Sequence, residues 1–158
     1  MSDNIDKQDV RILKLLQTDA GLTTGEIADK TNMSQSPCWR RINRFEQEGL
    51  IKKRVAILDR DRLGMEVVVF ATVNLSMQGR NQLQEFEQAV QDHPEVVECY
   101  TMTGTWDYML KIVTRSIRHY EAFVRDKLST LPLVSEMHSH VAVTEIKNST
   151  ELPLDTQL

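Results

Sequence analysis

The segment of residues 34–54, SQSPCWRRINRFEQEGLIKKR, constrains this chain most strongly because it marks both ends of a helix. Ser34 can cap the start of the helix, and Pro37 is tolerated in the first turn, where backbone N–H groups have no helical partner. Gly49 suits the left-handed residue that ends a helix. The segment therefore predicts a helix with defined ends, followed directly by a basic stretch.

This predicted helix has one apolar stripe and one polar, basic face. Cys38, Ile42 and Phe45 follow at spacings of four and three residues, so they lie on one buried side. The residues that point mostly outward are Gln35, Ser36, Trp39, Arg40, Asn43 and Arg44, with Arg41 between the two faces. Arginine and asparagine can pair bidentately with guanine and adenine edges, and an α-helix fits the major groove. We predict a DNA recognition helix, although a basic helix face is more often only solvated.

The preceding residues predict two further helices. Asp6 and Asp9 favour the start of the first helix, which should end near Asp19. The stretch Thr23-Thr24-Gly25-Glu26 fits a capping box for a short second helix that ends near Asn32. Three helices joined by tight turns, the third of them basic, are typical of a helix-turn-helix DNA-binding domain.

The charge distribution supports a DNA-binding N-terminal half. The formal net charge of −4, taken alone, would count against nucleic-acid binding. Residues 1–62, however, contain 12 Lys and Arg against 10 Asp and Glu, whereas the remainder contains 7 against 13. We expect Lys52, Lys53 and Arg54 to form a strand or small wing that contacts phosphates.

In the second half of the chain, the spacing of apolar residues alternates between strand-like and helical patterns. Strands are predicted over residues 66–75, 96–102, 108–113 and 134–146, and helices over 80–90 and 117–128. The order βαββαβ is the ferredoxin-like arrangement. We therefore predict an α+β chain with a winged helix-turn-helix domain over 1–58, a linker over 59–64, a ferredoxin-like domain over 65–147 and a tail over 148–158.

The first predicted strand is apolar on both faces. Its residues divide into Val67, Val69, Ala71 and Val73 on one side and Val68, Phe70 and Leu75 partly on the other. Helices can cover only one face of such a sheet, so the second face needs another cover. We predict that a partner's sheet covers it in a homodimer, which would also pair the recognition helices for a two-fold operator.

Several functional classes lack their residues here. No apolar run approaches a membrane span and no secretory signal is evident, so a cytoplasmic protein is expected. Cys38 and Cys99 have no CxxC partner, and His138 and His140 have no third ligand at a plausible spacing. No disulfide, metal site or cofactor is predicted. Because no nucleophile, general base or phosphate-binding loop is evident, the sequence does not predict an enzyme.

The pattern GLTTGEIADKTNMSQSPCWRRINRFEQEGLI, together with GTWDY in the predicted hairpin, resembles the Lrp/AsnC (leucine-responsive/asparagine regulator, feast/famine) family of prokaryotic transcription factors. The resemblance covers residues 5–152. The chain departs from the family pattern at Phe45, where leucine is usual, and at Asn32, where glycine is common. Asparagine accepts left-handed geometry better than most residues do.

This resemblance implies a regulator that binds double-stranded DNA as dimers, assembles further to octamers, and responds to a small-molecule effector, commonly an amino acid. It also implies an effector pocket near the hairpin, at the contact between dimers. Carried over by position, the effector-binding residues are Tyr100, Met102, Gly104, Thr105, Trp106, Asp107 and Tyr108, with His138 and His140 opposite. Asp107 could meet an ammonium group; alternatively, Gly104 and Asp107 only shape the turn.

Two other functions stay open at this point. An architectural, nucleoid-type protein with little effector control would bind DNA broadly and mainly under the control of salt. Alternatively, the C-terminal domain could be a small-molecule enzyme or carrier that has acquired a DNA-binding module. The second alternative is the weaker one because the sequence shows no catalytic set.

Overall fold

The computed structural model describes residues 5–76, 80–131 and 133–154. The chain divides into two compact units. The helical unit takes the chain up to Ile57 together with the segment from Lys147 onward, and the sheet unit runs from Leu58 to Ile146. Residues 1–4 of the predicted first domain and 155–158 of the predicted tail lie outside the described residues.

The helical unit contains the three predicted helices. They are α1 (Lys7–Thr18), α2 (Thr24–Thr31) and α3 (Gln35–Gln47). Their apolar stripes meet in one core that contains Ile12, Leu16, Ile27, Ala28, Cys38, Ile42 and Phe45. The predicted buried stripe of the third helix is confirmed, because Cys38 and Phe45 are fully buried and Ile42 nearly so.

Capping side chains fix the first two helices. The Asp6 carboxylate accepts hydrogen bonds from the backbone of Gln8 and Asp9, and the Asp9 carboxylate accepts one from the Asp6 N–H in return. Thr23 and Glu26 make the same reciprocal arrangement at α2. The capping box predicted at Thr23–Glu26 and the predicted cap at Asp6 are confirmed, and the structure shows that Asp6 and Asp9 form a capping box too. Each satisfies backbone donors that have no partner within the helix.

The ends of α3 follow from its sequence. Ser34 is the N-cap, but its side chain makes no capping hydrogen bond among the described residues. Pro37 occupies the third helical position and has no N–H to donate to that hydroxyl, which removes one of the two usual donors. Gly49 has a φ of 74° and Asn32, before the helix, a φ of 54°, so both predicted left-handed positions are confirmed.

The stretch after α3 differs from expectation. Residues 52–58 belong to no helix or strand within the described parts of the chain, whereas a strand or small wing was predicted. A strand needs a neighbour to complete its hydrogen-bond ladder, and no described segment of the same chain lies in ladder register with this one. Residues 147–154 return to the helical unit, where the Gln17 amide donates to the Leu152 carbonyl and accepts from its N–H at 3.0 Å each.

The sheet unit is a four-stranded antiparallel sheet with two helices. Its elements are β1 (Val67–Leu75), α4 (Arg80–Gln91), β2 (Val96–Thr101), β3 (Tyr108–Thr114), α5 (Ile117–Asp126), a short 3-10 turn (Leu128–Thr130) and β4 (Val134–Val141). The strand order β2-β3-β1-β4 agrees with the predicted ferredoxin-like fold. The last strand ends at Val141 and not at Ile146, because β1 begins at Val67 and offers no partner beyond the Ala142 bond to Val68.

The two faces of the sheet have different environments. Its buried face packs on the two helices, with a core that includes Val69, Ala71, Val73, Leu75, Phe86, Tyr108, Leu110, Ile112, Tyr120 and Phe123. The prediction that Leu75 belongs to the other face is wrong, because residues two apart along a strand share a face and Leu75 follows Val73. The opposite face, called the open face below, carries Phe70, Thr72, Tyr100, Met109, Lys111, His138 and His140, which pair across neighbouring strands.

No helix in the described ranges combines the length and the apolar character that crossing a lipid bilayer would require.

Candidate functional site

The first turns of α3 present an exposed polar surface. We call Gln35, Ser36, Trp39 and Arg40 the recognition face, and all four are exposed. Trp39 is 55% exposed, which is high for an aromatic side chain in a folded domain. Because Cys38, Ile42 and Phe45 fix the opposite side of the helix in the core, the direction of this face is set by packing.

The other predicted DNA-binding residues of α3 are less accessible. Arg41, Asn43 and Arg44 are half-buried. The Nη1 atom of Arg41 lies 2.5 Å from Oδ1 of Asp9 and 2.7 Å from Oδ2 of Asp6. The Nη2 atom of Arg44 lies 2.7 Å from Oδ2 of Asp9. Both arginines are therefore held against α1 in ion pairs.

These contacts perturb the charged groups that form them. Backbone N–H donation by Asp9 and the neighbouring Arg41 guanidinium hold the pKa of the Asp6 carboxyl below its usual range, against a smaller opposing effect of burial. The hydrogen bond to Asp9, followed by that to Asp6, raises the pKa of Arg41. The cluster is thus a set of paired charges on the side of α3 next to α1.

The basic stretch after α3 is exposed. Lys52, Lys53 and Arg54 all reach solvent. Arg54 is partly engaged, since its Nη2 lies 2.9 Å from Oε1 of Glu46 and its Nη1 donates to the Ala20 carbonyl at 3.2 Å. An exposed ion pair of this kind is weak, so all three cations are available to phosphates.

The hairpin between β2 and β3 is the second candidate site. Its ends are joined by the Met102 N–H, which donates to the Asp107 carbonyl at 2.8 Å, and Gly104 has a φ of 106° that favours glycine. The Asp107 carboxylate accepts from the Leu75 N–H at 2.8 Å, and the Asp107 N–H lies within hydrogen-bonding distance of Val73 and Asn74. Asp107 therefore fixes the hairpin to the end of β1, the turn-shaping role that sequence left open.

Most of the predicted effector residues lie at the hairpin or on the open face. Met102, Gly104 and Thr105 are exposed in the turn. The rings of Trp106 and His138 lie 4.6 Å apart between centroids. Tyr100 and His140 belong to the same open face, and His138 lies 3.2 Å from Oε1 of Glu136.

Tyr108 is placed differently from its neighbours. It is 2% exposed on the buried face, where its ring lies 4.7 Å from that of Phe86 and its hydroxyl donates to Glu87 at 2.9 Å. Burial, followed by the hydrogen bond to Glu87, raises the pKa of Tyr108 well above its usual range. The structure therefore does not bring Tyr108 together with Trp106, because Trp106 lies in the turn before β3, where strand alternation does not apply, and its ring contacts His138.

The chain matches two known protein families. A family described as "Winged helix-turn-helix DNA-binding" matches residues 5–52, and the "Lrp/AsnC ligand binding domain" matches residues 68–152. The chain belongs to the Lrp/AsnC family. The family likeness predicted from sequence is thereby confirmed.

Individual Lrp/AsnC proteins match along nearly the whole chain. The glutamate uptake regulatory protein of Zymomonas mobilis is 37% identical over 154 residues, which cover 98% of this chain and 93% of that protein. A crystal structure of an AsnC family transcriptional regulator from Agrobacterium tumefaciens has a TM-score of 0.90 at 37% identity and covers 99% of both chains. A Neisseria meningitidis transcriptional regulator in complex with L-Met has a TM-score of 0.93 at 30% identity, covering 98% of this chain and 100% of that one.

These matches establish the class of this Lrp/AsnC protein. It is a DNA-binding transcriptional regulator with a ligand-binding domain, and the matched proteins are regulators and not enzymes. The winged helix-turn-helix and ferredoxin-like fold class is confirmed together with it.

Sequence reasoning missed three residues at the two sites of this Lrp/AsnC regulator. Asp9 was recognised as a helix-start residue but not as the partner of Arg41 and Arg44, because that contact joins two helices. Glu98 and Lys111 form a 2.9 Å ion pair on the open face beside Tyr100, whose hydroxyl donates to Glu98 at 2.8 Å. Strand alternation alone would have put Glu98 on the same face as Tyr100.

Proposed function

We propose that this regulator reads DNA with the recognition face of α3 and positions itself with the basic stretch that follows. The observation that carries this proposal is the exposure of Gln35, Ser36, Trp39 and Arg40 on a helix whose other side is fixed in the core. In helix-turn-helix proteins the N-terminal residues of the recognition helix contact base edges. Asn43 lies one turn further along the same side, and Lys52, Lys53 and Arg54 supply phosphate contacts.

We further propose that the ligand is an amino acid bound at the hairpin of the sheet unit. Support comes from the related Neisseria regulator, which was crystallised in complex with L-Met. The exposed turn around Gly104 offers backbone N–H groups for a carboxylate, and Asp107 offers an anion for an ammonium group. Trp106, Tyr100, Met102, Thr105, His138 and His140 complete the proposed site, and Tyr108 supports it from the buried face.

We propose a homodimer, assembling further to octamers, through surfaces that a single chain leaves uncovered. On the open face Phe70 is 36% and Tyr100 50% exposed. In the extended stretch after α3, Val55 is 61%, Ile57 75% and Leu58 68% exposed. Exposed apolar side chains on these two segments support their use as interfaces between copies of the chain. Access to chromosomal DNA agrees with a cytoplasmic location.

The gating of DNA binding is tested by a mobility shift on the DNA upstream of the protein's own gene, with and without a pool of the twenty amino acids. A change in affinity or in the ladder of complexes supports effector control, and dividing the pool then identifies the ligand. A mobility shift that is the same with and without the pool would contradict the amino-acid proposal and favour an architectural DNA-binding role.

The role of Asp107 is tested by two variants. Asp107→Asn keeps an oxygen that can accept from the Leu75 N–H but removes the negative charge. Asp107→Ala removes both, and it should lower the free energy of unfolding by about 1–3 kcal/mol because a partly buried donor loses its partner. Loss of the effector response in both variants supports an ammonium contact. An intact response in Asp107→Asn would leave Asp107 with only its hairpin role.

A further inference from the structure

A buried carboxylate lies directly behind the recognition helix. Asp9 on α1 is fully buried, and it is the only charged side chain with that burial among the described residues. Its two oxygens accept from Arg41 at 2.5 Å and Arg44 at 2.7 Å, both on α3, and from the Asp6 N–H at 3.1 Å. Asp6 adds a second carboxylate to Arg41 at 2.7 Å.

The charges of Asp6, Asp9, Arg41 and Arg44 sum to zero, and Glu48 adds a further carboxylate 3.8 Å from Nε of Arg44. Two arginines of α3 meet two carboxylates of the N-terminal end of α1, so their cationic charge is compensated within the protein. Arg40 differs, since it is exposed and makes no ion pair within the described part of the chain. Three arginines on one helix therefore do not contribute equally to the field that attracts phosphates.

Because Asp9 is buried, its ion pairs with Arg41 and Arg44 should be more stable than contacts between these arginines and DNA phosphates. If Arg41 or Arg44 turned to a phosphate, Asp9 would be left as a buried charge with an incomplete set of partners, which is strongly unfavourable. A phosphate contact at the protein surface gains less, because solvent and salt screen it. The arginines should therefore stay on Asp9 in the DNA complex.

From this arrangement we infer that Asp9 is a positioning residue for DNA binding, which holds Arg41 and Arg44 away from the phosphate backbone. The inference rests on the proposed recognition face. It assigns the sequence-independent attraction between the regulator and DNA phosphates to Arg40 and the basic stretch after α3. By withholding two cations, Asp9 lowers the sequence-independent part of the affinity for DNA and leaves base contacts to the exposed recognition face. It thus sets the strength of phosphate attraction without touching DNA.

The first test compares the salt dependence of binding to a random-sequence duplex in two variants. Asp9→Asn removes the buried carboxylate that Arg41 and Arg44 share and leaves them only the exposed carboxylates of Asp6 and Glu48. The log–log salt slope should then steepen by up to about 1.8 per bound subunit, equivalent to about twelvefold more loss of affinity between 50 and 200 mM salt. Asp19→Asn is the matched control, because it removes the same charge and can still accept from the Gly21 N–H. Equal slopes in the two variants would overturn the inference.

A double-mutant cycle tests whether the arginines carry the effect. Asp9→Asn is introduced into a chain that already contains Arg41→Gln and Arg44→Gln. The additional steepening should then disappear, since no cation is left to be released. Steepening of the same size in this background would mean that a general charge effect is responsible, and would contradict the inference.

Arginine footprinting of the wild-type chain gives a readout that does not depend on the folding of any variant. Phenylglyoxal modification is followed by mass spectrometry with and without saturating random duplex. DNA should protect Arg40 and leave the modification of Arg41 and Arg44 unchanged. Protection of all three would overturn the inference while keeping the proposed recognition face; absence of protection at Arg40 would instead contradict the proposed face, and with it the inference.

Discussion

The helical unit and the sheet unit position their functional residues by different means. In the helical unit, capping side chains set the helix ends and one apolar stripe sets the direction of the recognition face. In the sheet unit, strand register decides which side chains reach the open face, and Asp107 ties the hairpin to β1 through its carboxylate and its N–H. The caps and the apolar stripe of the helical unit depend on residues that are close in sequence. The strand register of the sheet unit depends on pairing between distant segments.

The largest expected effect comes from the core that fixes the recognition face. Phe45→Ala removes a fully buried ring from the helical unit, and it should lower the free energy of unfolding by about 3–5 kcal/mol because a cavity replaces the ring. Urea unfolding followed by far-UV circular dichroism measures the change. Leu63→Ala, at a residue 59% exposed, is the control and should change stability by less than about 0.5 kcal/mol. Similar losses in both variants would contradict the packing described here.

A smaller effect distinguishes two residues at helix starts that look alike in sequence. Thr23→Ala removes a side chain that caps α2 and should cost about 1 kcal/mol. Ser34→Ala at the start of α3 should cost much less, because the Ser34 hydroxyl makes no capping bond among the described residues. Thermal unfolding of the pair measures the difference. A loss at Ser34 equal to that at Thr23 would show that the hydroxyl caps α3 in solution.

Most of the helical unit could be predicted from sequence because its signals are local. The reciprocal caps of Asp6 with Asp9 and of Thr23 with Glu26, and the left-handed Gly49, each depend on residues within a few positions. The contact of Asp9 with Arg41 and Arg44 could not be predicted in this way, since it depends on how α1 packs against α3.

The sheet unit was predicted less completely for the same reason. The order of its elements follows from hydrophobic periodicity and from the turn at Gly104. The end of β4 at Val141 depends on where β1 begins, and the separation of Tyr108 from Trp106 depends on where the hairpin returns to strand alternation. The predicted DNA contacts and effector contacts themselves remain predictions for experiment.

The smallest expected effect is the pH dependence of the paired cluster. The folded-state pKa of Asp6 lies below the ordinary value of 3.8, so its contribution to stability is present above pH 3.8 and is lost as the pH falls through the lower folded value. Asp6→Asn keeps a good N-cap but cannot titrate. The stability difference between wild type and Asp6→Asn should therefore shrink between pH 5 and the acid limit, roughly pH 2. A difference that is constant with pH in urea unfolding would contradict this role.

The most direct measurement uses the two tryptophans, because one lies in each proposed site. Trp106→Phe leaves Trp39 on the recognition face as the only fluorescent tryptophan, and Trp39→Phe leaves Trp106 at the hairpin. Duplex DNA from upstream of the gene should change the emission of Trp39, and the amino-acid pool should change that of Trp106. A Trp39 emission that stays constant while the same DNA binds at saturation would contradict the account that this face contacts DNA.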